Sequence, residues 1–392
     1  MGFAYGLVEC AALSSLIFVE KQKQTDVWSF MDEFTNMFKN RMRWATSFKF
    51  NSQSQCNTDQ MKIVPVTPPI QHGEGPHWDS KNGILYYVDT FQATAYRWDS
   101  KTKNVTSQKF DGRNSIGTIT PIIDKNDQFI VSSDRCIYHL LWDGKESNTG
   151  TIKELFSIEE DKPDNQFNDG KADANGVLWI GTLTRQPDYG VTDNGGSLYQ
   201  VALCAHPAHK QYAEVMCDTS ISNGLCWTRD NKFMFYIDSS KRNIEKYEFD
   251  LKTETLGEKK VIFDLENYPA IEGILDGMTI DSENNLWVAT FGGSSILKIH
   301  PCSGKLLKVV KMPVKYITSV AFGGKNYNVL YATTSRFHMS EDEVCQSKSS
   351  GAVFAITGLK VEGVPMFNVD YSAPDEKLSF GESGGDKKQC LG

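Results

Sequence analysis

Two carboxylates and two carboxamides, Glu74, Asp276, Asn168 and Asn223, hold one recurrent place in four copies of a repeated segment. Oxygen donors of this kind are hard ligands. A site built from Glu74, Asn223 and Asp276 carries two negative charges and suits Ca²⁺ first, with Mg²⁺, Mn²⁺ and Zn²⁺ compatible. Three protein ligands leave coordination positions for water and a substrate oxygen, the condition of a catalytic metal rather than a structural one, and the chemistry of such a centre is hydrolysis. Polar residues at the start of strands are also explained by turn and cap chemistry. What weighs against that explanation is convergence, because equivalent positions of a radial repeat meet at its axis.

The elements that must bring these residues together are visible as the repeat itself. Residues 73–90 (GEGPHWDSKNGILYYVDT), 168–183 (NDGKADANGVLWIGTL), 222–240 and 275–293 share one plan: a polar residue, a short apolar stretch, a turn rich in Asp, Asn and Gly, and an alternating strand. Weaker copies at 118–134 and 319–335 bring the number to six. Counting back five residues from each turn gives Glu74, Ile119, Asn168, Asn223, Asp276 and Ser319, spaced by 45, 49, 55, 53 and 43 residues on subtraction. Such steps are the size of a propeller blade. Val, Ile, Tyr, Trp and Thr in two-residue alternation exclude a helical repeat, so the reading is an all-β, six-bladed β-propeller.

The propeller is expected over residues 61–371. Residues 1–60 form an N-terminal extension, disordered or holding one amphipathic helix, since Trp28, Phe30, Met31, Phe34, Phe38 and Met42 fall near helical spacing; 372–392 read as a polar tail. A net charge of −8 with no dense basic run argues against nucleic-acid binding, and no apolar stretch approaches bilayer length. Signal-peptide, myristoylation and prenylation patterns are not met. Nine scattered cysteines without a C-x-x-C pair read as reduced thiols of a cytoplasmic protein, expected as a monomer or weak dimer. His206 and His209 are read as part of a solvated loop, and His77 as packed beside Trp78 rather than bound to metal.

At these segments the chain resembles the regucalcin (senescence marker protein), gluconolactonase and luciferin-regenerating-enzyme family. The matching stretches are GEGPHW, FNDGKAD, ISNGL with YIDSS, LDGMTID with LWVA, TSVAFGGKNY and ITGLKVEG, in order across residues 65–370. The resemblance implies a divalent cation on Glu74, Asn223 and Asp276, substrate contact by Asn168, Asp276 as general base, and lactone hydrolysis. Two positions depart from the family pattern. Gln166 stands where many lactonase members carry Arg, and Gln186, beside Arg185, where some carry a substrate-binding Glu. Losing a bidentate cation and an acceptor charge argues against a polyhydroxylated sugar lactone. The expectation is a metal-dependent hydrolase of a small lactone or ester with Gln166 and Gln186 in an altered substrate shell. A calcium-binding regulatory protein with little turnover is the alternative, and a protein-interaction platform a third reading.

Overall fold

Six antiparallel sheets, arranged as the blades of a β-propeller, account for the repeat. The computed structural model describes residues 60–145, 149–203 and 211–371. The innermost strands are Gly73–Asp79, Ile116–Pro121, Asn165–Ala172, Ser222–Trp227, Ile274–Ile280 and Tyr316–Gly323, and in blades 1 to 5 successive strands step outward. Blade 3 carries a fifth strand, Val191–Thr192, paired to the end of Leu178–Arg185. Blade 6 takes its outermost strand from the other end of the chain: Lys62–Pro65 pairs with Phe354–Thr357, Lys62 opposite Thr357. That pairing closes the ring.

Each strand alternation buries one set of side chains against the next blade, and the apolar core is accordingly six clusters, one per blade interface. Between blades 5 and 6, for example, Trp287, Ala289 and Ile296 pack on Val320, Phe322 and Leu330. The Asp-rich turns have structural duties. Asp173 accepts from the N–H groups of Asn175 and Val177 and from the Trp179 indole at 2.9 Å; Asp281 repeats this with Glu283, Asn285 and the Trp287 indole at 3.0 Å. At the opposite ends of the blades, Asp89, Asp134 and Asp238 each accept two backbone N–H groups from the residues leading into their own inner strand. These bonds fix where the inner strands begin.

All six inner strands carry a β-bulge at the same level. The two bulged residues are Gly75–Pro76, Gly117–Thr118, Asn168–Asp169, Asn223–Gly224, Asp276–Gly277 and Thr318–Ser319. Counting back from the turns therefore misplaces three of the six anchors. Glu74 lies one residue before its bulge, Ile119 lies beyond its own and is buried in the apolar cluster between blades 1 and 2, and Ser319 takes the second bulge position rather than the first. The reason is that the stretch from bulge to turn differs among the blades: Asp173 and Asp281 come five residues after the first bulge position of their strands, Asp79 only four.

Residues 363–371 lie across the far ends of the inner strands, bridging Gly363 to Asp281, Phe367 to Ala172 and Val369 to Ile122. Met366 lines the channel there, and His77 bonds Asn368 at 3.0 Å. His77 and Trp78 thus face opposite ways, His77 to the channel and Trp78 onto Tyr331, which corrects the expectation that they pack together. The expected N-terminal helix, the polar tail and the His206/His209 pair fall outside the described residues. Among the described residues the one α-helix is Glu341–Gln346, and no helix is long and apolar enough to cross a membrane.

The closing strand makes a prediction about length. A chain beginning at Gln60 is expected to melt where the full chain does, whereas one beginning at Thr67 loses the Lys62–Pro65 ladder and should melt lower by at least about 5 °C. Scanning calorimetry on the two truncations decides it.

Candidate metal and substrate site

Asn168, Asn223 and Asp276 share the first bulge position of blades 3, 4 and 5, and Glu74 enters from blade 1 one residue earlier. Gly75 makes this offset feasible: it sits at φ +54° in the left-handed region, which glycine enters without a Cβ penalty. Close approach of neighbouring inner strands is equally visible at Gly224, where a Cβ would stand 2.6 Å from the Asp276 carbonyl oxygen. Only glycine lets blade 4 bring Asn223 so near the backbone of blade 5.

The four side chains are not equally engaged. The Asn223 amide Nδ2 donates to Ser239 Oγ at 3.0 Å, which leaves its Oδ1 buried without a donor; Asp276 Oδ1 is likewise buried without one. Asn168 Nδ2 donates to the Ser222 carbonyl oxygen at 2.9 Å. Glu74 Oε2 accepts the Gly75 N–H at 3.1 Å. Burial holds the Glu74 carboxyl well above the usual carboxylate range, and the charges of Asp276 and then Asp169 push it further. Burial raises Asp276 too, with Asp169 adding and the Asn223 side chain and Gly277 N–H opposing. Two orphaned buried oxygens, one on the Asn223 amide and one on the Asp276 carboxylate, beside a Glu74 carboxylate that Asp276 repels, form a donor set that a hard divalent cation fits. Among the described residues no group of three or more His, Cys, Asp and Glu side chains is clustered for a metal, and the uncharged oxygen left without a donor beside Asp276 is Asn223 Oδ1.

Three residues of the site were not singled out in the sequence. Asp169 follows Asn168 in the bulge; burial raises its carboxyl while Lys171 and the Gly170 N–H oppose. The signal was present in N-D-G, because a bulge breaks alternation and brings both its residues into play. Lys171 reaches across the channel to the Met278 carbonyl oxygen at 2.8 Å. His72 Nε2 stands 3.9 Å from Glu74 Oε1, yet burial, followed by Arg185 and His338, lowers its pKa to about 3, so the neutral ring makes no ion pair.

Gln166 is buried on the inner strand of blade 3, and its Nε2 has no acceptor. Gln186 is exposed on the hairpin that follows Leu178–Arg185, bonded to Thr192 of the same hairpin at 3.3 Å. Its neighbour Arg185 is the side chain that turns onto the mouth of the site, over the Phe91 ring.

The sequence model of the SMP-30/Gluconolactonase/LRE-like region matches residues 72–336. The chain belongs to this family. It is 35% identical over 301 residues to regucalcin of Xenopus laevis, covering 76% of this chain and 95% of that protein. Its fold matches a luciferin-regenerating enzyme with TM-score 0.72 at 35% identity, over 79% of this chain and 100% of that one. A calcium-binding regucalcin from Agrobacterium tumefaciens superposes with TM-score 0.67 at 23% identity, over 79% and 97% of the two chains. Within the SMP-30/gluconolactonase family fold, the matched region spans all six inner strands and the ring they carry.

The raised carboxyls predict a pH dependence of the cation-free protein. A folded-state pKa above its unfolded value gives stability that is full below the ordinary carboxylate range and is lost as pH rises through the raised value. The melting temperature in chelator should therefore fall as pH rises above the ordinary carboxylate range more steeply in the wild type than in Glu74→Gln, and saturating Ca²⁺ should remove the difference. Parallel slopes in chelator would show that Glu74 carries no such strain.

Proposed function

We propose that the protein is a divalent-cation-dependent hydrolase of a small lactone or similar ester, with Glu74, Asn223 and Asp276 holding the cation. The observation that carries this reading is the pair of buried, donorless oxygens on Asn223 and Asp276 next to the charge-strained Glu74. When bound, the cation supplies Lewis acidity toward a carbonyl oxygen and lowers the pKa of water. The residues supply the rest. Asp276 is assigned as general base, because a carboxylate oxygen at this position accepts a proton as water attacks. Asn168, whose Nδ2 is already committed to Ser222, offers its Oδ1 to a substrate hydroxyl. Gln166 is assigned to the substrate shell through its unfilled Nε2, and at the hairpin expected to contribute Gln186 the assignment passes to its neighbour Arg185, which lies over Phe91.

A binding-only reading shares the same ligand set and draws support from relatives named regucalcin, one of them described as calcium-binding. Ca²⁺ is on that ground the first cation to test. The five free thiols among the described residues, Cys136, Cys217, Cys226, Cys302 and Cys345, support the assignment to the cytoplasm.

Hydrolysis of a lactone panel, each compound with Ca²⁺, Mg²⁺, Mn²⁺ or Zn²⁺ and with chelator, tests the proposal. Turnover is expected to require a cation. Asp276→Asn keeps an oxygen ligand but removes a charge and the proton acceptor, so kcat should fall at least about a hundredfold while Ca²⁺ affinity drops less. Gln166→Arg should raise sugar-lactone turnover. Unchanged kcat in Asp276→Asn removes the assigned base. Micromolar Ca²⁺ binding with no turnover of any lactone decides for the binding protein.

A further inference from the structure

The mouth of the channel is roofed by aromatic rings that come from widely separated blades. Phe91 follows the second strand of blade 1, Tyr189 is at the tip of the blade 3 hairpin, and Phe337 follows the second strand of blade 6. Their centroids lie 4.1 Å apart for Phe91 and Phe337, 5.5 Å for Phe91 and Tyr189, and 4.7 Å for Tyr189 and Phe337. Blades 3 and 6 are opposite members of a six-membered ring. The Tyr189–Phe337 contact therefore requires the hairpin to reach across the mouth.

This roof is connected to the ligands beneath it. The His72 ring is 4.8 Å from Phe91 and its Nε2 is 3.9 Å from Glu74 Oε1, so one side chain spans from roof to site. Arg185 lies 5.4 Å from the Phe91 centroid and donates to the Tyr189 carbonyl oxygen at 3.0 Å, while its buried Nε has no acceptor. Polyhydroxylated ligands need donors and acceptors on every side, because each buried hydroxyl left unpaired costs binding. The roof offers mainly ring faces instead, with Arg185 on Phe91 and His338 on Phe337 as polar neighbours.

We propose that the Phe91, Tyr189 and Phe337 rings form a binding surface for a flat aromatic group, and that the lactone or ester taken by this site is an aryl one. The inference rests on the hydrolase reading for the reacting bond, and on the roof alone for the ring. Tyr189 meets Phe91 and Phe337 edge-on, with 73° and 71° between the ring planes, an arrangement aromatic rings prefer, and a flat ligand ring between the hairpin tip and the site continues that packing. Tyr189 is 49% exposed, so the tip can part from its neighbours without opening a core.

The test separates binding from turnover by using lactams, which present the same ring and carbonyl but resist hydrolysis. Titration calorimetry on the full chain with saturating Ca²⁺ compares a benzo-fused six-membered lactam with its fully saturated counterpart, which is as apolar but not flat. The aromatic lactam is expected to bind about tenfold tighter. Tyr189→Ser and Phe337→Ser should each remove most of that preference while leaving Ca²⁺ affinity as it was. Equal affinities in the wild type, or a preference that survives both substitutions, overturn the proposal. Turnover of the benzo-fused lactone, followed in parallel, keeps the two readings apart. Preference without turnover sustains the roof and sinks the hydrolase; turnover of aliphatic and aryl lactones alike, without preference, does the reverse.

Discussion

Backbone meets backbone around the axis of this propeller, and most of what the chain does near that axis follows from it. Inner strands of neighbouring blades are so close that Gly117 and Gly224 could not carry a Cβ without meeting a carbonyl oxygen at 2.5 and 2.6 Å. Strands this crowded cannot all present side chains inward at one level. The bulge resolves the conflict by adding a residue to each inner strand, so that small residues occupy the contacts while a few larger polar ones are turned to the channel. Where the bulge starts with Gly75 or Gly117, no side chain is presented; where it starts with Asn168, Asn223 or Asp276, an oxygen is.

Charge is the second consequence of that crowding. Glu74, Asp169 and Asp276 are buried within mutual electrostatic reach, and the nearest cation, Lys171, is already bound to the Met278 carbonyl oxygen. Dry surroundings penalise each carboxylate separately and their proximity penalises them together. Such arrangements concentrate at binding and catalytic sites. The structural carboxylates of the same chain make the contrast plain. Asp281 is as deeply buried, but it accepts from two turn N–H groups and the Trp287 indole and is paired with Lys298 at 2.9 Å. Asp276 has no comparable set of donors.

The sequence carried the architecture because a repeat of six multiplies a weak signal. Turns built on Asp79, Asp173 and Asp281 fall where Asp, Asn and Gly cluster, and the strands after them alternate as the blade interfaces demand. Depth along the axis was less legible. Strand length and bulge position trade against one another, so counting from the turn identified Asn168, Asn223 and Asp276 correctly as equivalents yet aligned them with Ile119, which belongs to an apolar interface. Asp169 and Lys171 were hidden for a related reason: strict alternation assigns neighbours to opposite faces, and the bulge suspends the rule. His72 and the aromatic roof lie in connecting segments, where no period exists to be read.

Blade 3 shows how a repeat acquires a feature its copies lack. The longest step between anchors, 55 residues from Asn168 to Asn223, contains the extra strand Val191–Thr192 and the hairpin that bears Arg185 and Tyr189. A fifth strand adds nothing to the blade interface, since Val191 and Thr192 pair only with the end of Leu178–Arg185. What it does is stiffen a projection. Its ladder pairs Arg185 with Val191 and Thr184 with Thr192, and the tip is closed by the Gln186 N–H to the Gly190 carbonyl oxygen at 2.8 Å. A free loop of that length would have many conformations to lose before Tyr189 could rest on Phe337, whereas a paired hairpin has lost them on folding. The ring of blades thus fixes Glu74, Asn223 and Asp276, while one departure from its symmetry determines what lies above them.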